Sequence, residues 1–320
     1  MSELLRVEHL RKYFKTPSGL LHAVDDISLS INKGDTLGVV GESGCGKSTL
    51  GRVILKLLEP TDGRIFFEGR DITRVTDKEK VGLRRRMQII FQDPYASLNP
   101  RMSVMDLIAD PLRTFRLYNR AGRREKAFAL MDMVGLSRRF ASSYPHELDG
   151  GRRQRIGVAR ALALDPTFIV CDEPVSSLDV SIQAQILNLL QDLQEQQGLT
   201  YIFVTHDLSV VKHISTDILV MYVGAMVEKC EAKELFARPL HPYTKGLLSA
   251  IPVPSIDHVR EKVVLRGELT SPVEPKPECR FAARCPYATD ICRREFPVYA
   301  EVLGNHFVAC HHVREINALE

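Results

Sequence analysis

A glycine-rich octapeptide carries the clearest chemistry in the sequence. Gly41-Glu-Ser-Gly-Cys-Gly-Lys-Ser48 matches the pattern G-x-x-x-x-G-K-[ST]. The glycines let backbone N–H groups turn inward around a phosphate, with the positive end of the next helix behind them. Lys47 is expected to reach the β and γ phosphates of ATP, and the Ser48 hydroxyl to coordinate Mg²⁺. The alternative is a glycine-rich turn of purely structural use.

Two adjacent acids follow a second apolar run. Phe168-Ile-Val-Cys171 reads as a buried strand, and Asp172 and Glu173 come directly after it. Asp172 is expected to hold Mg²⁺ through a water, and Glu173 to polarise the attacking water as general base. In isolation such a pair is more often a solvated turn or a helix cap. In a chain that also has a phosphate loop, the pair favours catalysis.

The elements that must position these residues follow an α/β pattern. Apolar, β-favouring runs predict strands, and apolar residues at helical spacing predict a helix from Ser48 to Leu58. The predicted strands are Thr36–Val40, Met87–Phe91, Phe168–Cys171 and Tyr201–Val204. Continuous apolar strands separated by helices indicate a mainly parallel sheet covered on both faces.

The pattern changes twice along the chain. Between Asp93 and about Arg160 it becomes helical, most clearly from Arg120 to Val134, which predicts a helical subdomain inserted into the α/β core at about residues 93–160. Prolines become frequent after Phe236, and Val253–Pro277 reads as an irregular linker and arm. We therefore expect a nucleotide-binding domain over residues 1–235 and an extension over residues 236–320.

Composition limits the function classes. The chain has 320 residues with 43 basic and 40 acidic side chains, a net charge of +3 that is too balanced to indicate nucleic acid as a partner. The N-terminus has no long apolar core, so a signal peptide is not expected. The longest apolar stretch, around Ile218–Val227, is about half a membrane span. A role at a membrane is therefore expected to come through partner proteins.

Four of the seven cysteines crowd the extension. They are Cys279, Cys285, Cys292 and Cys310. Without a secretion signal, disulfides explain this cluster poorly, and a metal site is the first expectation. Thiolates suit both iron–sulfur clusters and zinc, but structural zinc sites usually begin with closer pairs. The wide gaps therefore favour iron–sulfur, with zinc and unoccupied thiols as alternatives.

From about Leu5 to Lys233 the sequence resembles the ATP-binding cassette (ABC) family. Gln92, in Ile89-Ile-Phe-Gln-Asp-Pro94, is similar to the family's Q-loop glutamine, which implies contact with Mg²⁺ and the attacking water. His206 is similar to the switch histidine that contacts the γ-phosphate. Ser177-Leu-Asp179 resembles the D-loop. Phe14, with Tyr13 beside it, is similar in position to the aromatic that stacks on adenine.

The resemblance implies a P-loop ABC-type ATPase core with an inserted helical subdomain and a small Cys-rich C-terminal extension. It implies Glu173, His206 and Gln92 as catalytic residues. The expected ATP- and Mg²⁺-binding residues are Phe14, Gly41, Ser43, Gly44, Cys45, Gly46, Lys47, Ser48, Thr49, Gln92, Asp172 and Asp179.

The signature segment departs from the family pattern. The family usually has Leu-Ser-Gly-Gly-Gln, whereas this chain has Leu148-Asp149-Gly150-Gly151-Arg152. In the family the segment closes over ATP of the opposite subunit, so Asp149 would place a carboxylate near a polyanion, at a cost of up to ~4 kcal/mol at 4 Å and a dielectric of about 20. Arg152, one turn on, is expected to offset part of that charge. We expect a heterodimer with a second, different ATPase subunit; a tolerated variant with normal turnover is the alternative.

The C-terminal region also carries a resemblance. The cysteine spacing and His241-Pro-Tyr-Thr-Lys-Gly-Leu-Leu248 are similar to oligopeptide/dipeptide-importer ATPase subunits, some of which hold a [4Fe–4S] cluster there. This implies peptides as cargo, with nickel and other small solutes carried by similar systems. It also implies two membrane permease subunits, an extracytoplasmic substrate-binding protein acting indirectly, and a peripheral position on the cytoplasmic face of the membrane.

Two other functions remain alternatives on the sequence alone. One is a soluble ABC-type ATPase that acts on ribosomes or DNA, although such proteins commonly have two cassettes or a long coiled-coil insertion. The other is a regulatory subunit that binds ATP without hydrolysing it, which the presence of Glu173 and His206 argues against.

Overall fold

The structure is a computed structural model that describes residues 2–251 and 271–319. The chain forms two compact units, one of residues 1–74 with 203–320 and one of residues 75–202. Of the predicted linker Val253–Pro277, residues 253–270 lie outside the described ranges.

Strands and helices follow one another in short runs along the chain. Up to residue 133 they are β1 (Glu3–Thr16), β2 (Gly19–Asn32), β3 (Thr36–Val40), α1 (Lys47–Ile54), β4 (Asp62–Phe67), β5 (Arg70–Asp71), α2 (Asp77–Arg86), β6 (Met87–Ile90), α3 (Pro94–Ser97), α4 (Val104–Thr114) and α5 (Arg120–Met133). From there they are α6 (Gly150–Leu162), β7 (Phe168–Asp172), α7 (Val180–Gln197), β8 (Thr200–Thr205), α8 (Leu208–Ile214), β9 (Asp217–Tyr222), β10 (Ala225–Glu231), α9 (Ala232–Ala237), α10 (Pro242–Ser249), β11 (Tyr299–Leu303), β12 (His306–Ala309) and α11 (Val313–Ile316). Short 3₁₀ helices cover Arg138–Phe140, Pro145–Glu147 and Ile291–Arg293.

The four predicted strands are confirmed as β3, β6, β7 and β8. The predicted helix after the phosphate loop is present as α1, which begins at Lys47 and ends four residues earlier than expected. The helical content between residues 93 and 160 is confirmed as α3 to α6. These predictions hold because each element has a continuous apolar run or an apolar face to bury.

The first unit contains two groups of paired strands. Strands β2, β1, β4 and β5 are hydrogen-bonded neighbours in that order and pair antiparallel. In the second group the neighbours are β11, β12, β10, β9 and β3, and β3 pairs with β9 in parallel. All five residues of β3 are buried, so the loop that follows starts from a fixed strand end.

The apolar stretch around Ile218–Val227 folds as a hairpin, which the prediction of a mainly parallel sheet did not include. Only Val223 and Gly224 separate β9 from β10, and their φ angles are 44° and 79°. Two central residues with positive φ are typical of a tight hairpin turn, and a connection this short makes antiparallel pairs only. Within residues 2–251 and 271–319, no helix combines the length and hydrophobicity needed to cross a membrane.

In the second unit, β6 and β7 pair in parallel, and helices bury apolar faces beside them. On α7 the buried residues Ile186, Leu190 and Leu193 recur at helical spacing, so one face of the helix packs inward. The helix ends at Gln197 and is capped by Gly198, whose φ of 62° is the left-handed conformation that commonly closes a helix. The division between the two units falls within β8.

A buried carboxylate joins the C-terminal extension to β10. Glu228 has no exposed surface, and its oxygens accept hydrogen bonds from the Leu240 and His241 backbone amides at 2.7 and 3.0 Å. His306 of β12 contacts the same carboxylate through Nε2 at 2.7 Å. Because a buried charge without partners is very costly, these contacts fix β12 and the start of α10 on β10.

His241 predicts a pH dependence of stability. Its Nδ1 accepts the Tyr243 amide at the start of α10, and burial lowers its pKa from 6.5 to about 4, although the charge of Glu228 acts in the opposite direction. Between pH 6.5 and 4 the unfolded chain therefore binds a proton that the folded chain excludes. We expect the His241 contribution to the free energy of unfolding to fall by about 2 kcal/mol from pH 7 to pH 5.

Urea unfolding of the wild type and of His241→Asn at both pH values measures this contribution. Asparagine keeps a side-chain acceptor at the helix start but does not titrate. The free energy of unfolding of the variant should therefore change by about 2 kcal/mol less than that of the wild type between pH 7 and pH 5. Identical pH dependence of the two proteins would contradict the assignment.

Candidate active site

The phosphate loop lies between β3 and α1, and two of its glycines are sterically required. Gly46 precedes α1 with a φ of 104°, and a Cβ atom there would lie 1.9 Å from the carbonyl oxygen of Ala23. A Cβ on Gly41, whose φ is 152°, would lie 2.2 Å from the carbonyl oxygen of Met221. No side chain fits at either position, so the backbone itself closes the loop.

Lys47 places its ammonium inside this loop. The residue is 4% exposed, and Nζ donates to the carbonyl oxygens of Gly41 and Glu42 at 2.8 and 3.0 Å. Beside it, Cys45 is buried, and burial raises the pKa of its thiol. This thiol is therefore a packing group, since thiol reactivity needs the thiolate.

The first turn of α1 faces the same loop. Ser48 and Thr49 lie in this turn and are half-buried, whereas Ser43 and Gly44 are exposed at the tip of the loop. The first N–H groups of a helix have no partner within the helix, and they carry the positive end of its dipole. With Lys47, these donors make a site of the kind that binds phosphate anions.

The two candidate aromatics on β1 differ in what covers their rings. Tyr13 stacks on His22 with ring centroids 3.8 Å apart, and its hydroxyl donates to Asp25. Phe14 is half-buried and has the Lys12 ammonium 5.0 Å from its ring centroid. Because His22 already covers a face of Tyr13, Phe14 is the better candidate for stacking on a base.

In the second unit the structure brings Gln92 and Glu173 together. Asp172 ends β7 with 2% of its surface exposed, and Glu173 follows with a φ of 48°. The Gln92 side-chain amide donates to Glu173 Oε2 at 2.9 Å, although the residues are 81 positions apart. A positive φ at a residue with a side chain is uncommon, and such strain clusters at functional sites.

The signature segment begins helix α6. Asp149 is the N-cap, and its Oδ1 accepts the Arg152 amide at 2.8 Å. The other carboxylate oxygen pairs with the Arg152 guanidinium. A Cβ on Gly151 would lie 2.7 Å from the Ile182 side chain, so the glycine lets α6 approach α7 closely. The contact through which Arg152 is expected to offset the charge of Asp149 is thus present in the structure.

The D-loop and switch candidates lie at helix starts. Asp179 precedes α7 and is exposed, and Ser177, two residues earlier, is exposed as well. In the first unit, His206 follows β8 on an exposed turn, and Asp207 caps α8 by accepting the Ser209 amide at 2.8 Å. Each residue is therefore placed at a surface, where a second molecule can contact it.

The four C-terminal thiols lie in one segment, residues 279–310, called here the Cys-rich segment. The Cys279 amide donates to the Cys292 carbonyl at 2.9 Å. Burial raises the pKa of Cys279 to about 12 and that of Cys310 to about 11, and neighbouring thiols act in the same direction. Across the described ranges no cysteine forms a disulfide, and no group of three or more His, Cys, Asp or Glu residues is placed to hold a metal ion.

Sequence reasoning missed the contacts that hold the phosphate loop from outside. Glu42, an unspecified position of the loop pattern, pairs with Arg284 of the Cys-rich segment, 242 residues away. Its amide also donates to the Tyr243 hydroxyl at 2.9 Å. A loop position that accepts any residue and an arginine between cysteines give no sequence signal for such a pair.

Two family models match this chain. The model described as ABC transporter matches residues 24–176, and the one described as oligopeptide/dipeptide transporter, C-terminal region, matches residues 227–292. The oligopeptide transport ATP-binding protein AppF of Bacillus subtilis (strain 168) is 49% identical over 320 residues, which cover 96% of this chain and 97% of that protein.

Two solved structures share the fold of the core. The dimeric, post-hydrolysis state of the ATP-binding cassette MJ0796, bound to ADP and Pi, is 29% identical with a TM-score of 0.66; the match covers 72% of this chain and 99% of that one. For cbiO1 from Clostridium perfringens, part of the ABC transporter complex cbiONQ, the identity is 28%, the TM-score 0.67, and the coverage 74% and 92%.

The fold and the phosphate loop define an α/β ATPase of the ATP-binding cassette class. More particularly, the chain belongs to the ABC transporter family and is one of its ATPase subunits, with the C-terminal region described for oligopeptide and dipeptide transporters.

Proposed function

We propose that this chain is the ATP-hydrolysing, energy-coupling subunit of a peptide importer. It works at the cytoplasmic face of the membrane with a second ATPase subunit and two permease subunits, and a substrate-binding protein delivers the cargo from outside. The match of residues 227–292 to the oligopeptide/dipeptide region and the likeness to AppF support this assignment. No nucleic acid is among the proposed partners, in agreement with the balanced charge.

ATP binds at the phosphate loop in this proposal. The amides of the loop and of the first turn of α1 receive the phosphates, Lys47 balances their charge, and Phe14 stacks on adenine. Ser48, Asp172 and Gln92 would hold Mg²⁺, which withdraws charge from the phosphates when bound. The residues fit this ion, because hydroxyl, carboxylate and amide oxygens are its preferred ligands.

The hydrogen bond between Gln92 and Glu173 is the observation that most supports hydrolysis. It orients the Glu173 carboxylate, and the strained backbone holds that carboxylate just beyond the strand end. In the proposed mechanism Glu173 takes a proton from the attacking water, Gln92 orients the water, and His206 donates to the γ-phosphate. A regulatory subunit without hydrolysis would not need this arrangement.

Asp149 is the reason to propose a heterodimer. Its ion pair with Arg152 is exposed, with 58% and 42% of the side chains accessible, and exposed pairs contribute about 0–1 kcal/mol. The pair therefore offsets only part of the repulsion between the carboxylate and a nucleotide on the opposite subunit. Hydrolysis occurs mainly at this chain's own phosphate loop, completed by a partner with an unaltered signature segment.

Glu173→Gln tests the proposed base and the asymmetry together. In the assembled transporter it should retain MgATP binding, because the phosphate loop is unchanged. Turnover should fall by roughly 10²-fold or more, because glutamine cannot accept the proton. ATP hydrolysis and nucleotide affinity of the purified complex measure the two effects.

The matched control is the corresponding carboxylate substitution in the partner subunit. It should leave most of the turnover intact, and Asp149→Ser should raise the partner site's share of hydrolysis. Near-normal turnover of Glu173→Gln would mean that another group is the base, and equal losses from the two carboxylate substitutions would exclude the asymmetry.

The Cys-rich segment is proposed to hold a [4Fe–4S] cluster through Cys279, Cys285, Cys292 and Cys310. The wide sequence spacing of the thiols, unlike the close pairs of structural zinc sites, supports it. Within the described residues the four thiols are not grouped to hold a metal ion, so cluster binding would have to draw them together. The cluster would cross-link the segment. Zinc or unoccupied thiols are the alternative outcomes of the test.

Iron analysis and absorption of the protein, purified without oxygen, test this proposal. We expect ~4 iron atoms per chain and absorption near ~400 nm, both lost in Cys292→Ser. Asp290→Ser, which leaves the thiols in place, is the control. A colourless, iron-free protein would contradict the proposed cluster. Stoichiometric zinc in such a protein would show that the thiols form a zinc site instead.

A further inference from the structure

The Cys-rich segment contacts the phosphate loop through a two-pronged ion pair. Arg284 Nη1 lies 2.7 Å from Glu42 Oε2, and Nη2 lies 3.0 Å from Glu42 Oε1. Only 7% of the Arg284 side chain and 26% of the Glu42 side chain are exposed. Parallel arginine–carboxylate hydrogen bonds are strong and directional, so this pair fixes the orientation of Glu42 as well as its position.

A second contact holds the main chain of the same residue. The Glu42 amide donates to the hydroxyl of Tyr243, which is fully buried on α10. Tyr243 packs edge-on against Tyr222 with ring centroids 4.7 Å apart, and Phe281 lies 5.3 Å from Tyr222 and 5.5 Å from Tyr243. An aromatic cluster under the loop thus includes a residue of the Cys-rich segment.

A parallel contact reaches the strand that carries the adenine-stacking candidate. Arg280 pairs with Asp25 and also donates to the Val223 carbonyl. The same Asp25 accepts the Tyr13 hydroxyl, one residue before Phe14, and its amide donates to the Gly224 carbonyl at 2.8 Å. The Gly224 amide in turn donates to the carbonyl of Cys45 in the phosphate loop at 2.8 Å.

Both arginines lie between the first two cysteines of the segment. Arg280 follows Cys279 directly, and Arg284 precedes Cys285 directly. The turn between them is closed by backbone bonds from Ala282 to Cys279 and from Arg284 to Phe281, at 2.9 and 3.0 Å. The short turn that carries these two thiols therefore also carries the two arginines.

We propose that Arg284 is a positioning residue for nucleotide binding, which holds the phosphate loop through Glu42 and couples the loop to the Cys-rich segment. The inference rests on ATP binding at the phosphate loop. A loop that is already ordered loses less conformational entropy when it binds, so affinity depends on contacts that never touch the ligand. The segment is in this way part of the nucleotide site without contributing a ligand to it.

Titration of the full-length wild type, Arg284→Gln, Glu42→Gln and the double variant with MgATP tests the pair. We expect each single substitution to weaken binding by roughly tenfold, and the double variant to bind about as well as either single one, since each removes the same interaction. Arg284→Lys keeps the charge but loses the paired geometry, so its loss should be smaller. Arg293→Gln, an exposed arginine of the same segment, is the control and should bind as the wild type does.

The coupling to the thiols is tested by Cys285→Ser in two backgrounds. It should weaken MgATP binding in the wild type and change it little in Arg284→Gln, because the connection is already broken there. Thermal unfolding of each variant is recorded in parallel, and the titrations are done at a temperature at which every variant is folded. If Arg284 and Cys285 only stabilised the fold, MgATP affinity at that temperature would be unchanged.

Four outcomes are decisive. Wild-type affinity in Arg284→Gln, or fully additive losses in the double variant, would overturn the positioning role. Equal losses from Cys285→Ser in both backgrounds would overturn the coupling. A wild-type chain without measurable MgATP affinity would instead remove the proposed function, and this inference with it.

Discussion

A buried ammonium is the constraint on which the nucleotide site depends. Lys47 is 4% exposed, and a charge so placed is tolerated only where polar groups surround it. The carbonyl oxygens of Gly41 and Glu42 meet this need, which requires the loop to curl over its own lysine. That curl brings Gly41 and Gly46 against the backbone of neighbouring strands, where no side chain fits. The buried Lys47 ammonium therefore accounts both for the positive charge that attracts phosphate and for the shape of the loop that receives it.

The same loop explains why the C-terminal extension packs where it does. The Glu42 carbonyl accepts from Lys47, whereas the Glu42 carboxylate and amide bond to Arg284 and to the Tyr243 hydroxyl of the extension. A second carboxylate, that of Glu228 on β10, accepts two backbone amides of the extension and contacts His306. Two partly or fully buried carboxylates thus join residues 240–251 and 271–319 to the core, and both demand specific partners because their charge is costly to leave unpaired.

The sequence predicted the parts of this protein whose pattern is local. The phosphate loop, the strands before Gly41 and Asp172, and the helices around residues 104–133 follow from runs of a few residues, and all are present. It also anticipated that Arg152 would meet Asp149, since the two are one helical turn apart. It did not predict the β9–β10 hairpin, because the apolar run Ile218–Val227 continues through the turn, where Gly224 is the single turn-favouring residue. The pairs Gln92–Glu173 and Glu42–Arg284 join residues 81 and 242 positions apart, a distance at which no single-sequence pattern operates.

The most direct measurement of the central claim is the affinity of the full-length chain for MgATP with and without the Lys47 charge. Isothermal titration of the wild type should show one nucleotide bound per chain, and Lys47→Ala should weaken binding by at least ~10-fold, because charge-assisted bonds to the phosphates are lost. Equal affinity in the two proteins would contradict the account of how this loop holds a triphosphate.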